Sequence, residues 1–263
     1  MNPSCEKQIR LRLWLVMMFA VCAGCVPMNR TIYPTYTPTP VTPTPTPTIT
    51  PVWFPPTSTP VPPATPTSLP PTSDPRPPLG ALIYTDTFQT PALWTSRQAA
   101  EGRAAFGRTE LSLAITGSKL YLYSLRLSPA LVNFYAEITV TLVFCSGVDE
   151  YGLLLRADSA VNYYRVGFSC DGRARLDRIV DSGAAGLLDW QYGSGIPLGG
   201  PGITRLAVWA RGDQLGVLSN GRLIFTHKDP KLTSGGFGVF ARSSGSQPVT
   251  VNFSDLAVWE LAP

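Results

Sequence analysis

Asp149 and Glu150 are adjacent, Asp177 and Asp189 follow further on, and His227 is the only histidine of the 263-residue chain. These are the groups that could carry acid–base chemistry. Glycosidic hydrolysis needs two carboxyl groups facing one bond, about 5 to 9.5 Å apart. Asp149 and Glu150 sit in an expected turn and project in opposing directions, and nothing in the spacing brings Asp177 to Asp189. His227 precedes "KDP" at a strand end and reads as a surface turn residue. A single imidazole without a Gly-x-Ser-x-Gly run offers no nucleophilic triad, and without a GxxxxGK run there is no phosphate cradle. Catalysis is not the expectation.

A second set of residues suits recognition. Strand parity in "YGLLLRA" puts Tyr151, Leu153 and Leu155 on one face, and Leu154 and Arg156 on the other. "NYYRVGFS" gives Tyr164, Val166 and Phe168 to the core and leaves Tyr163 and Arg165 opposite. "RARLDR" groups Arg173, Arg175 and Asp177, and "LAVWAR" turns Trp209 and Arg211 away from Leu206 and Val208. With Trp190 capping from a loop, Arg156, Tyr163, Arg165, Arg175, Trp190 and Trp209 form the candidate ligand face. Tyr, Trp and Arg are also the residues that dominate binding hot spots. The plainer alternative is a solubilising outer face, with Trp94, Trp209 and Trp259 in the core.

The elements that must position these residues begin after a long preamble. Lys7, Arg10 and Arg12 precede the apolar run "LWLVMMFAVCAGC", which reads as an export signal and is too short for an ordinary membrane span. Its end resembles a bacterial lipobox, which implies removal of residues 1–24 and a lipid on Cys25, with Cys22 departing from the usual aliphatic residue. Removal of the leader brings the formal charge from +4 to roughly +2, too weak an excess for a nucleic-acid footprint.

Cys145 and Cys170 then remain in an oxidising compartment and are expected to form a disulfide. In a flat meander their strands would stand about 9.6 Å apart, more than the roughly 6.8 Å that a disulfide allows. Residues 25–79 form a Pro/Thr-rich linker, with 18 of the 27 prolines between Thr31 and Leu79. Such chain favours extended polyproline II and could reach about 150 Å, enough to lift a domain away from a membrane.

From residue 80 to 263 short β-rich runs alternate with turn signals such as Asn220–Gly221 and Asp171–Gly172, and no run keeps helical spacing. The expected fold is all-β, a two-sheet sandwich. The order of its motifs resembles the concanavalin A-like lectin/glucanase jelly roll, in its laminin-G-like and 3-keto-disaccharide hydrolase-like branches. The resemblance rests on Asp86, Phe88 and Trp94 in "YTDTFQTPALW", and on "YGLLLRADSAVNYYRVGFS". "LAVWARGDQLGVLSNGRLIF", "GGFGVFA" and "VNFSDLAVWE" complete it.

The resemblance implies carbohydrate or protein binding on one sheet, with activity only in some branches. The Glu-x-Asp-x-Glu strand of the glucanase branch is not found here. It also implies a possible calcium site shared by Asp86 and Asp255 in the first and last strands, although two carboxylates fall short of the six or more oxygens that calcium takes. The expected protein is a lipid-anchored, surface-displayed module that binds glycan without catalysis. A 3-keto-glycoside-cleaving enzyme and a module for protein partners are the alternatives.

Overall fold

Alternating apolar residues between Gly, Asn and Asp turns give fifteen strands among the described residues of the computed structural model, 74–245 and 247–262. The leader, Cys25 and the linker up to residue 73 lie outside them. In chain order the strands are β1 (Leu79–Asp86), β2 (Thr95–Ser96), β3 (Gly102–Phe106), β4 (Glu110–Ile115) and β5 (Tyr121–Leu131). β6 (Phe134–Phe144), β7 (Glu150–Ala157), β8 (Tyr163–Ser169), β9 (Arg173–Val180) and β10 (Gly183–Tyr192) follow. The last are β11 (Gly202–Arg211), β12 (Gln214–Ser219), β13 (Arg222–Lys228), β14 (Gly235–Arg242) and β15 (Val249–Leu261). One 3-10 turn, Pro91–Leu93, interrupts them.

The strands make two antiparallel sheets, and the chain has the concanavalin A-like jelly-roll fold. Sheet A runs β13-β12-β11-β6-β15-β4-β3, with β1 also paired to β15. Sheet B runs β10-β9-β8-β7-β14-β5-β2. β6 shows the logic: Phe134, Ala136, Ile138, Val140 and Leu142 are buried between the sheets, while Thr139 and Thr141 are partly exposed outside. Tyr151, Leu153, Leu155, Tyr164, Val166 and Phe168 meet them from sheet B. β2, β3 and β10 were not expected, because "TS", "GRAAF" and "GAAGLLDWQY" carry few β-branched residues; all three are edge strands.

β15 serves two partners along one side. Val249–Ser254 pairs with β4, and Leu256–Leu261 pairs with β1. The switch falls at Asp255, whose φ of 52° marks a bulge. The backbone N–H of Ala262 donates to Pro78 O, so the two ends of the domain meet.

Cys145 and Cys170 are disulfide-bonded with Cα atoms 5.7 Å apart. The flat-meander geometry does not apply, because β6 belongs to sheet A and β8 to sheet B. The bond joins the ends of two layers rather than alternate strands of one.

Candidate functional site

The register of sheet B aligns residues into rows across its outer face. One row is Asp177, Arg165, Leu154, Gly238 and Leu125. The next is Arg175, Gly167, Gly152, Phe240 and Tyr123, and the third places Glu150 beside Arg242 and Tyr121. Leu125, Leu154, Tyr163, Ile179 and Phe240 form a buried apolar floor, with Tyr121 and Tyr123 packed on it. A Cβ at Gly167 would lie 3.5 Å from Arg175 Cγ and 3.7 Å from Phe240 Cζ, so both side chains border that position.

Ion pairs cross this floor. Arg242 Nη1 donates to Glu150 Oε1 at 3.0 Å, and Arg175 Nη2 to Glu150 Oε2 at 3.1 Å. Arg165 donates to Asp177 Oδ2 through Nη2 at 2.8 Å and Nε at 3.1 Å. Arg175 Nε is 3.0 Å from the same oxygen but is not aligned on it, and keeps no hydrogen-bond acceptor. Burial opposes the charge of Arg165, yet Asp177 outweighs this and raises its pKa.

At one side the guanidinium carbons of Arg175 and Arg173 stand 4.7 Å and 5.4 Å from the Trp190 ring centre. Asp171 holds Arg173 at 2.6 Å, and this contact lowers the Asp171 pKa. At the other side the Tyr121 hydroxyl is buried without a hydrogen-bond partner, and burial pushes its pKa well above 10. Chemically the face offers ring planes and oriented guanidinium groups. These are features that stack on and hydrogen-bond a polar ring.

Of the expected residues, the structure brings Tyr163, Arg165, Arg175 and Trp190 together on this face. Trp190 lies on β10, not in a loop. Tyr163 is 6 % exposed and belongs to the floor more than to the contact layer.

Arg156 does not belong here. It is 1 % exposed, at a φ of 50° where the β7–β14 register shifts, and its guanidinium donates to Leu232 O and Val132 O, both at 2.8 Å. The bulge overrides parity and turns the side chain to the end of the sandwich. Trp209 is on the outer face of sheet A, in a cluster with Tyr135, Ala207 and Leu218. Trp259 packs on that cluster too, and Trp94 is in the core.

The carboxylates also separate. Asp149 is buried and accepts from the backbone N–H and hydroxyl of both Ser146 and Ser244, while Glu150 opens β7 and faces the Arg175 side. Asp86 is buried and accepts from the Trp94 indole at 2.9 Å, the Phe88 N–H at 2.7 Å and Arg126. Asp255 is exposed and accepts from the Ser254 hydroxyl. Among the described residues no group of three or more His, Cys, Asp or Glu side chains converges on one point. Asp189 is exposed, and His227 lies within β13 opposite Leu215.

Sequence reasoning missed Tyr121, Tyr123 and Arg242. "KLYLYSL" alternates aromatic and aliphatic residues, a signal that could have placed the two tyrosines on one face. Arg242 could be placed only with the β7–β14 pairing in hand.

No protein-family model matches the sequence, and no curated protein matches it. Solved structures do. The carbohydrate-binding module CBM66 from Bacillus subtilis superposes with a TM-score of 0.53 at 18% identity, covering 64% of this chain and 96% of that one. A protein of unknown function with a galectin-like fold, also from Bacillus subtilis, gives 0.52 at 11%, over 70% and 98%. An endo-β-1,3-glucanase from Pyrococcus furiosus gives 0.52 at 9%, over 69% and 94%. At these identities the likeness is one of fold.

Proposed function

We propose that the domain binds carbohydrate on the outer face of sheet B and does no chemistry on it. The observation that carries this is the line Arg242–Glu150–Arg175–Asp177–Arg165, with Trp190 stacked on Arg175 at its middle. It presents fixed donors beside ring planes over an apolar floor. The similarity in fold to a carbohydrate-binding module supports the reading without assigning a ligand.

A hydrolase is the weaker reading. Glu150 and Asp177 share a face, but their strands are separated by β8 and both carboxylates are occupied by guanidinium groups. Neither is free to face a scissile bond from an open position.

The export signal, the lipobox-like "CAGC" and the Pro/Thr-rich linker support display of this face at the cell surface by a lipid on Cys25. That part rests on sequence alone, and mass spectrometry of the N-terminal peptide tests it. A plain, unacylated N-terminus would remove the anchor.

The test of binding is a polysaccharide panel probed with the full-length chain in detergent. Trp190→Ala or Tyr123→Ala should weaken binding about tenfold, the scale of one lost stacking contact, and Trp209→Ala should leave it unchanged. Loss with Trp209→Ala alone would move the site to sheet A. No binding at all would favour a protein partner.

A further inference from the structure

Acids and bases on the outer face of sheet B lie in separate layers. The side chains of Glu150 and Asp177 keep 8% and 9% exposure beneath the arginines. Arg175 and Arg173 keep 19% and 24%, and Arg242 keeps 43%. Asp171, at 30%, is at the rim and bound to Arg173, and Asp189 is exposed on the edge strand β10. At the opposite rim Arg97 is exposed where its backbone N–H bonds Tyr123 O, and no described carboxylate lies within ion-pair distance of it. Arg97, Arg165, Arg173, Arg175 and Arg242 thus outnumber Glu150, Asp171, Asp177 and Asp189, and Arg97 and Arg242 are the open cations.

An arriving ligand meets N–H donors and ring faces before it meets acceptors. The hydroxyl groups of a neutral sugar need acceptors for their own protons, and here most are covered. A saccharide bearing carboxylate or sulfate brings those acceptors and matches the planar fork of a guanidinium in two-point fashion.

We infer that the ligand of this face is an acidic polysaccharide, held by Arg242 and Arg97 through its anionic groups while its rings lie along Tyr123 and Trp190. This rests on the carbohydrate-binding reading above and narrows it to one chemical class. A uronate and a sulfate ester present the same acceptors, so the test carries an arm for each.

The full-length chain in detergent is titrated with polygalacturonate and its carboxyl-reduced form, and with dextran sulfate and dextran, at low and high salt. Expected is binding to at least one acidic polymer about tenfold tighter than to its neutral counterpart, weakening with salt as charge pairs are screened. Arg242→Gln and Arg97→Gln should each reduce it, with melting temperatures showing both variants folded. Arg108→Gln, an exposed site at the β3–β4 turn, should not.

Equal affinity for polygalacturonate and its reduced form, with dextran sulfate no better than dextran, overturns the inference and leaves carbohydrate binding standing. So does binding to neutral polymers alone. An Arg108→Gln loss as large as that of Arg242→Gln also overturns it, since it reduces the effect to unspecific attraction. Binding to none of the four, nor to any glycan of the panel, removes the underlying reading as well.

Discussion

Gly216 lies directly beneath the indole of Trp209: a Cβ at 216 would come within 2.1 Å of the ring carbon Cε2. The contact fixes the ring against the outer face of sheet A, far from the rows of sheet B. Gly216→Ala should therefore displace the ring and cost about 1–3 kcal/mol, the usual penalty of overpacking. Urea denaturation measures it, and the folded fraction should bind as the native chain does.

Arg156→Leu removes the two hydrogen bonds that the buried guanidinium donates to the carbonyls of Val132 and Leu232. A loss of about 2–4 kcal/mol is expected, as for a broken buried polar network. Equal denaturation midpoints for the two proteins would show that these hydrogen bonds do not stabilise the fold.

Asp229 gives a pH dependence. Burial alone would raise its pKa, but hydrogen bonds from the Tyr164 hydroxyl and the Lys231 N–H, with the Arg178 ion pair, hold it below the ordinary value of 3.8. A depressed carboxylate contributes stability that is complete above the unfolded-state pKa and is lost as pH falls through the folded one. Asp229→Asn should melt below the native chain at neutral pH, and the gap should close in acid below about pH 4. Parallel melting curves across that range would contradict the assignment.

The disulfide closes a sequence separation of 25 residues between layers. Replacing Cys145 and Cys170 together by Ala should lower stability by about 3.5 kcal/mol in the chain-entropy view. Comparison of the two proteins by denaturant titration checks it. An unchanged midpoint would mean that the sheet ends are held by packing alone.

Most strands and the inward residues of β7 and β8 were legible because apolar alternation is a local property. The sheet to which each strand belongs was not. Parity turned Trp209 outward correctly, but a sandwich has two outer faces, and only the β11–β6 pairing assigns it to sheet A. Arg156 escaped for another reason: a bulge adds one residue and inverts the alternation beyond it. Asp86 and Asp255 are close in pairing register, yet Asp255 is at the bulge and Asp86 points to Arg126 and Trp94. Parity placed Tyr163, Arg165 and Arg175 on one face, and β8 and β9, pairing in uninterrupted register, keep them there.

The pairing of β1 with β15 has a mechanical consequence. Leu79 faces Leu261 where the chain enters, and Asp86 faces Leu256 at the far end. A pull on the chain ahead of Pro78, directed away from sheet A while a ligand grips sheet B, loads these pairs one after another rather than together. The first strand would peel like a zip at low force. Peeling should stall at Asp86, where the ion pair to Arg126 and the bond from Trp94 rivet the strand to the core. The domain would then yield slack in its first strand before its grip on a ligand was tested.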